Sequence, residues 1–237
     1  MRGQFNTVTV VDSRRALLLR EPGRPPAYYF PRDDVRLDLL TQSPWQAAFP
    51  NLGEIVFWNL SFDGRTVENA AISHPAPPAD RSSLADHLSF RWQAMDAWFE
   101  EEEHVLIHPR DPYARIDVLP SSRRVRIELD GLSLGGSIRP MLLFETCLPT
   151  RYYLPSEDVR LDLLIPTDSH TCCPHEGTAS YYAVKLGGQL YADYVWTYLN
   201  PLPECARIRG LLAFYNEKVD LFVDGELEPK PQTKWLD

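Results

Sequence analysis

Apolar and polar residues alternate in short runs along most of this chain, the pattern of half-buried β-strands. Val125-Arg126-Ile127-Glu128-Leu129 alternates and then meets Asp130-Gly131, a dipeptide suited to a tight hairpin turn. Ala179 to Leu186 is an aromatic and β-branched run that ends at Gly187-Gly188, a second hairpin signal. Lys218 to Gly225 alternates again. The abundance of proline, 21 in all, counts against long helices. Glu157 to Leu164 has room for a short helical turn. The predicted fold class is all-β, built from small antiparallel sheets.

The pattern occurs twice. Tyr28 to Leu40 recurs as Tyr152 to Leu164, 124 residues further on. On the same register Arg15 falls on Arg139, Glu21 on Glu145, Pro50 on Pro174, Gly53 on Gly177, Gly64 on Gly188, Phe90 on Phe214 and Asp96 on Asp220. Identities scattered on one gapless offset imply internal duplication and two tandem domains of one fold. The expected domains are an N-terminal copy over 1–105, a proline-bearing linker over 106–122 and a C-terminal copy over 123–237. Glu228 to Gln232 reads as a loose end. Ala94 to Glu103 looks helical by itself, but its repeat partner is the strand around Lys218 to Glu226, so strand is expected.

The segments Leu143 to Thr146, Arg151 to Pro155, Cys173 to Tyr182, Trp196 to Tyr198 and Ala213 to Glu217 change the picture. In order and spacing they resemble the domain of unknown function family 427, widespread in actinobacteria and fungi, and the whole chain resembles its two-copy form. The resemblance implies a β-tent, two small antiparallel sheets leaning together, similar to translationally controlled tumour protein and methionine sulfoxide reductase B. Some collections attach a nucleotidyltransferase label to the family. The family usually carries Lys where this chain has Glu176, and an aromatic where it has His175, a departure that counts against any role needing a cation there.

Composition narrows the partners. A net charge of −9 with only paired basic spots, such as Arg14-Arg15 and Arg123-Arg124, argues against nucleic acid. No run approaches the ~20 apolar residues of a membrane helix, and no signal sequence is visible. The four cysteines, Cys147, Cys172, Cys173 and Cys205, are too sparse for a secreted disulfide framework, so a reduced, cytoplasmic protein is expected. A small-molecule ligand is the expected partner, and homo-oligomerisation stays open.

Candidate chemistry gathers in the second copy. His170-Thr171-Cys172-Cys173-Pro174-His175 holds metal-ligand types, but without separated CxxC pairs, so neither metal nor cofactor is expected. Cys173 and His175 could form a nucleophile and base, or a packed thiol beside a surface histidine. Neither a Walker loop nor a two-metal carboxylate motif supports phosphoryl transfer.

Asymmetry between the copies says more. Cys173, His175, Glu176, Tyr181, Tyr182, Trp196, Tyr198, Tyr215, Asn216 and Glu217 stand where the first copy has Phe49, Asn51, Leu52, Phe57, Trp58, Ile72, His74, Arg91, Trp92 and Gln93. A retained site in one copy and a scaffold in the other would give this pattern. The candidate catalytic set is Glu145, Tyr152, Cys173, His175, Tyr215 and Glu217. The candidate ligand-binding set is Tyr153, Arg160, Glu176, Tyr181, Tyr182, Trp196, Tyr198 and Asn216. Glu145 or Glu217 would carry protons, since a carboxyl among aromatics titrates high. The expectation is an enclosed polar cavity lined by this set. Residues kept in both copies, among them Glu145, Asp158, Arg160 and Asp162, favour a structural part, such as an Arg160–Glu145 pair. The readings that remain are a small-molecule site with acid–base chemistry, a non-catalytic binding module, and a thiol or redox protein.

Overall fold

The structure, a computed structural model, describes residues 1–21, 24–49 and 52–233 and builds them largely from antiparallel strands. The chain divides into two compact units, Met1–Asp111 and Pro112–Asp237.

In the first unit the strands are β1 (Arg2–Phe5), β2 (Val8–Asp12), β3 (Leu17–Leu19), β4 (Ala27–Pro31), β5 (Leu40–Phe49), β6 (Gly53–Phe62), β7 (Arg65–Ser73), β8 (His87–Phe90), β9 (Ala97–Glu100) and β10 (Glu103–His104). They form a four-stranded sheet, β10-β9-β1-β2, and a six-stranded sheet, β3-β4-β8-β7-β6-β5. Phe5 and Val10 of the small sheet meet Phe30, Leu60 and Leu88 of the large one in a single buried core. Each such side chain contributes ~1.5–3 kcal/mol on leaving water.

The second unit repeats the plan with β11 (Ile116–Pro120), β12 (Val125–Leu129), β13 (Leu132–Ser137), β14 (Met141–Glu145), β15 (Arg151–Leu154), β16 (Leu164–Cys173), β17 (Gly177–Leu186), β18 (Gln189–Thr197), β19 (Leu212–Phe214), β20 (Asp220–Val223) and β21 (Glu226–Leu227). Its sheets are β13-β12-β20-β21 and β11-β14-β15-β19-β18-β17-β16. Val125, Ile127 and Leu221 close against Leu154, Val184 and Phe214. The offset of 124 carries β5, β6 and β7 onto β16, β17 and β18 residue for residue. The chain is thus all-β and two-copy, each copy a pair of antiparallel sheets around one core. Pro50 and Asn51, the partners of Pro174 and His175, lie outside the described residues.

Turn chemistry explains the hairpins. Asp130-Gly131 and Gly187-Gly188 both place two successive residues at positive φ, the geometry that lets a two-residue turn follow strand twist. Gly177, at φ 102°, closes the turn between β16 and β17, and an added Cβ would lie 3.4 Å from the Asn200 carbonyl oxygen.

Four expectations change. Residues 116–120, read as linker, form β11, paired with β14 in the second unit's large sheet. The segment after β21 is tied down: Glu228 N–H donates to the Leu221 carbonyl at 2.8 Å, and Lys230 pairs with Asp220 at 3.0 Å. The helical turn expected over Glu157 to Leu164 is two short 3-10 turns, Ser156–Asp158 and Leu161–Leu163. The Arg160–Glu145 pair does not form. Arg160 instead grips Asp162 two residues away, at 2.6 and 2.8 Å, as Arg36 grips Asp38. Both pairs are exposed and contribute little.

Candidate functional site

Alternation along the strands sorts the candidate residues onto two faces of the seven-stranded sheet. Tyr152 and Tyr182 face the main core between the sheets. Tyr153, Tyr181, Trp196, Tyr198 and Tyr215 face the other way, beneath Cys205 and Ile208 of the 3-10 turn Pro203–Ile208. On that outer face lie Leu143 and, two residues on, Glu145 at the end of β14.

A hydrogen-bonded polar cluster fills this face. Tyr153, fully buried, accepts from Trp196 Nε1 at 3.0 Å. Tyr198 O–H donates to Glu176 Oε2 at 2.7 Å. Tyr181 shares hydrogen bonds with Thr171 at 2.7 Å and Tyr215 at 3.4 Å. The end of β16 brings in Cys173, whose Sγ accepts from the His175 backbone N–H at 3.5 Å. His175, itself buried, sets Nδ1 3.5 Å from Glu204. Arg151 donates from Nη1 and Nη2 to the two oxygens of Glu217, each at 2.7 Å, and its guanidinium lies over the Trp196 and Tyr215 rings. Thr233 Oγ1 also donates to Glu217, at 2.9 Å.

The charges are unevenly matched. Burial acts to raise Glu217, but the Arg151 fork outweighs it and holds Glu217 below the usual carboxylate range. Burial and the neighbouring Glu176 charge push Glu145 up to about 7, which Arg151 offsets only in part. Glu176 is also raised, by burial, against the hydrogen bonds from Tyr198 and Cys173. The Cys173 thiol is pushed up by burial and by Glu176, and Cys205 reaches about 12 for the same two reasons. Both thiols are therefore held protonated, the opposite of what a nucleophile needs. Among the described residues no group of three or more His, Cys, Asp or Glu converges as metal ligands.

The outer face thus gathers Glu145, Tyr153, Cys173, His175, Glu176, Tyr181, Trp196, Tyr198, Tyr215 and Glu217. It does not gather Tyr152, Tyr182, Asn216 or Arg160. Asn216 donates to the Thr150 carbonyl at 2.8 Å, beside Tyr152. Three cavities in the described residues lie elsewhere. One of about 360 Å³ is in the first unit beside Tyr28 and Trp92. One of about 150 Å³ lies beside Tyr152 and Asn216, and a shallow one of about 500 Å³ lies beside Arg124 and Arg139. Tyr181, Trp196 and Tyr198 are buried in this cluster, whereas Glu145 and Tyr215 are half-buried at its margin.

A family model described as domain of unknown function (DUF427) matches residues 1–101 and again residues 117–225. The chain belongs to this family. A search of curated proteins gives no match.

Within this DUF427 chain the first copy shows how the cluster is undone. Glu21, the counterpart of Glu145, pairs with Arg81 at 3.1 Å, and Arg81 stands at the place of Cys205. Leu52 replaces Glu176 and is buried with Tyr29 and Leu84. His74 replaces Tyr198 and meets the Tyr29 hydroxyl at 3.0 Å. Ala27 stands where Arg151 does. One carboxylate is removed and the other given its own cation, so the buried charge is balanced. Arg151 and Cys205 were missed as site residues from sequence, although the copy-to-copy comparison held their signal in Ala27 and Arg81.

Proposed function

We propose that the second unit carries a small-molecule site that works by general acid–base chemistry, with Glu145 as the proton carrier. The observation behind this reading is the state of Glu145. Half enclosed and beside a second buried carboxyl, it is pushed up to about 7, where a group both gives and takes protons readily. Burial raises Glu145 most, and Glu176, held by Tyr198, is the positioning carboxyl that adds to it. Trp196 and Tyr215 form an aromatic wall beside it, and Arg151 supplies the local positive charge. Glu217, locked to Arg151, is a structural counter-ion rather than a second proton carrier. The ligand is a small polar molecule approaching past Glu145 and Tyr215.

A non-catalytic binding module is the second reading, favoured by the burial of Tyr181, Trp196 and Tyr198 within the cluster. The thiol reading is disfavoured by the raised Cys173 and Cys205. A reducing, cytoplasmic setting suits four cysteines that are all unpaired. No described helix is long and apolar enough to cross a membrane.

The test is a screen of small carboxylic acids, amides, sugars and nucleosides, read by nuclear magnetic resonance on the full chain. Saturable shifts at the Trp196 indole N–H that change on Glu145→Gln support the site. Shifts confined to other regions, or none across the screen, oppose it. A hit whose proton exchange with water is unaffected by the protein favours the non-catalytic module.

A further inference from the structure

The cavity of the first unit and the smaller cavity of the second lie at the same place in the repeat. Pro25, Pro26, Tyr28, Trp92 and Ile107 line the first. On the 124-residue offset they fall on Pro149, Thr150, Tyr152, Asn216 and Pro231, all of which line the second. A crevice that recurs in two copies so diverged elsewhere is a property of the fold, formed beside the Tyr28 or Tyr152 ring and under the chain that follows the last strand pair. It is separate from the acid–base cluster, which occupies the opposite face of the large sheet.

The copies differ in what they have done with it. In the second unit the space is about 150 Å³ and Asn216 takes part in its wall. In the first it is about 360 Å³, within the size range of small-molecule pockets. Asn216 has become Trp92, and Phe222 has become Trp98. Trp92 and Trp98 stack with centroids 4.9 Å apart and planes 22° apart, and Trp98 continues onto Phe30 at 5.8 Å and 7°. Trp98 and Phe30 are buried, whereas Trp92 ends the stack half-buried. The stack therefore presents a flat ring at the cavity. The charged groups nearby are internally occupied: Glu100 accepts from Tyr28, and the Arg91 guanidinium donates to the Asn69 and Glu68 carbonyls. Exposed Gln93 and half-buried His108 leave amide and imidazole groups in the lining. Stacked indoles with balanced charge select a neutral, planar guest.

We propose that the first unit binds a neutral, planar aromatic or heteroaromatic small molecule of about two fused rings, seated against Trp92 in this cavity. The first copy is then a second, different binding domain rather than a scaffold. The claim does not depend on the acid–base reading of the other unit.

The experiment titrates the full chain with 2-naphthol, and in parallel with decahydro-2-naphthol, a neutral alcohol of the same skeleton without the flat rings. The readout is the indole N–H resonances in nuclear magnetic resonance spectra. The expected result is saturable shifts at Trp92 and Trp98 with 2-naphthol, none at Trp196, and at least tenfold weaker binding of the saturated alcohol. Trp92→Asn, which installs the second copy's residue, is expected to weaken 2-naphthol at least tenfold. Absence of saturable shifts at Trp92 and Trp98, equal binding of the two alcohols, or undiminished binding by a folded Trp92→Asn protein would overturn the proposal. Should that variant fail to fold, the two titrations of the unaltered chain decide.

Discussion

Arg151 holds Glu217 through two hydrogen bonds of 2.7 Å, so the guanidinium over Trp196 and Tyr215 is already engaged when Glu145 and Glu176 require a counter-charge. Both side chains of that pair are nearly enclosed, at 11% and 1% exposure. Breaking such a pair from one side leaves a buried charge unsatisfied. Arg151→Ala is expected to cost about 3 kcal/mol in urea unfolding, with Glu217→Gln milder because an amide still accepts from the guanidinium. A loss below about 1 kcal/mol for Arg151→Ala would show that the pair does not hold the site together.

The raised Glu145 makes stability depend on pH in a defined direction. Its carboxyl sits at about 7 when folded against 4.5 unfolded, so the folded state binds the extra proton between those values. The stabilisation is full below about pH 4.5 and is lost as pH rises through about 7. Allowing for partial exposure, the loss from this group is ~2 kcal/mol. Glu217 acts in the opposite sense: its depressed value gives stability above the unfolded carboxylate range that is lost as pH falls through the folded value. Unfolding curves between pH 5 and 8 should therefore fall for the natural chain and flatten for Glu145→Gln. Parallel slopes in the two proteins would remove Glu145 as the cause.

The fold was legible because duplication printed it twice. Alternating runs such as Val125 to Leu129, turn pairs such as Asp130-Gly131, and the gapless offset each pointed to the same strands. Ala94 to Glu103, ambiguous by itself, was resolved by its repeat partner: β9 covers Ala97–Glu100. The site was half legible. Copy asymmetry found Glu176, Tyr198 and Trp196, but sequence proximity put Tyr152 beside Tyr153 although strand alternation sends them to opposite faces. Arg160 was offered as a partner for Glu145, yet Asp162, two residues along the chain, holds it instead. The packing of the cluster's rings could not be read from composition, because aromatic side chains wall a pocket or fill it with equal ease.

Thiol reactivity checks the electrostatics independently. Cys147 and Cys172 are exposed, Cys173 is half-buried and Cys205 is buried. With Cys173 pushed well up and Cys205 at about 12, alkylation by iodoacetamide at pH 8 should label Cys147 and Cys172 first. Peptide mass spectrometry under native conditions reads the order. Labelling of Cys173 as fast as Cys172 would mean that its thiolate is stabilised and would return the nucleophile reading to consideration.

The Tyr198 hydroxyl is the hydrogen-bond donor that steadies Glu176, at 2.7 Å. Tyr198→Phe leaves that carboxylate oxygen without its partner and should cost about 2 kcal/mol at pH 8, where Glu176 is most in need of the bond. At lower pH the cost should shrink, because burial makes Glu176 take up a proton more readily than a free carboxyl and the protonated group needs less from a donor. An effect that is the same at both pH values would indicate lost packing alone.

The most direct test is the titration of Glu145 itself, followed through its side-chain carboxyl carbon in the full-length protein. A midpoint near 7 is expected, falling only in part in Glu176→Gln, because burial, the larger cause of the shift, stays when the neighbouring charge is removed. A Glu145 midpoint close to 4.5 in the natural chain would contradict the account, since no neutral-range proton carrier would then exist at the centre of the cluster.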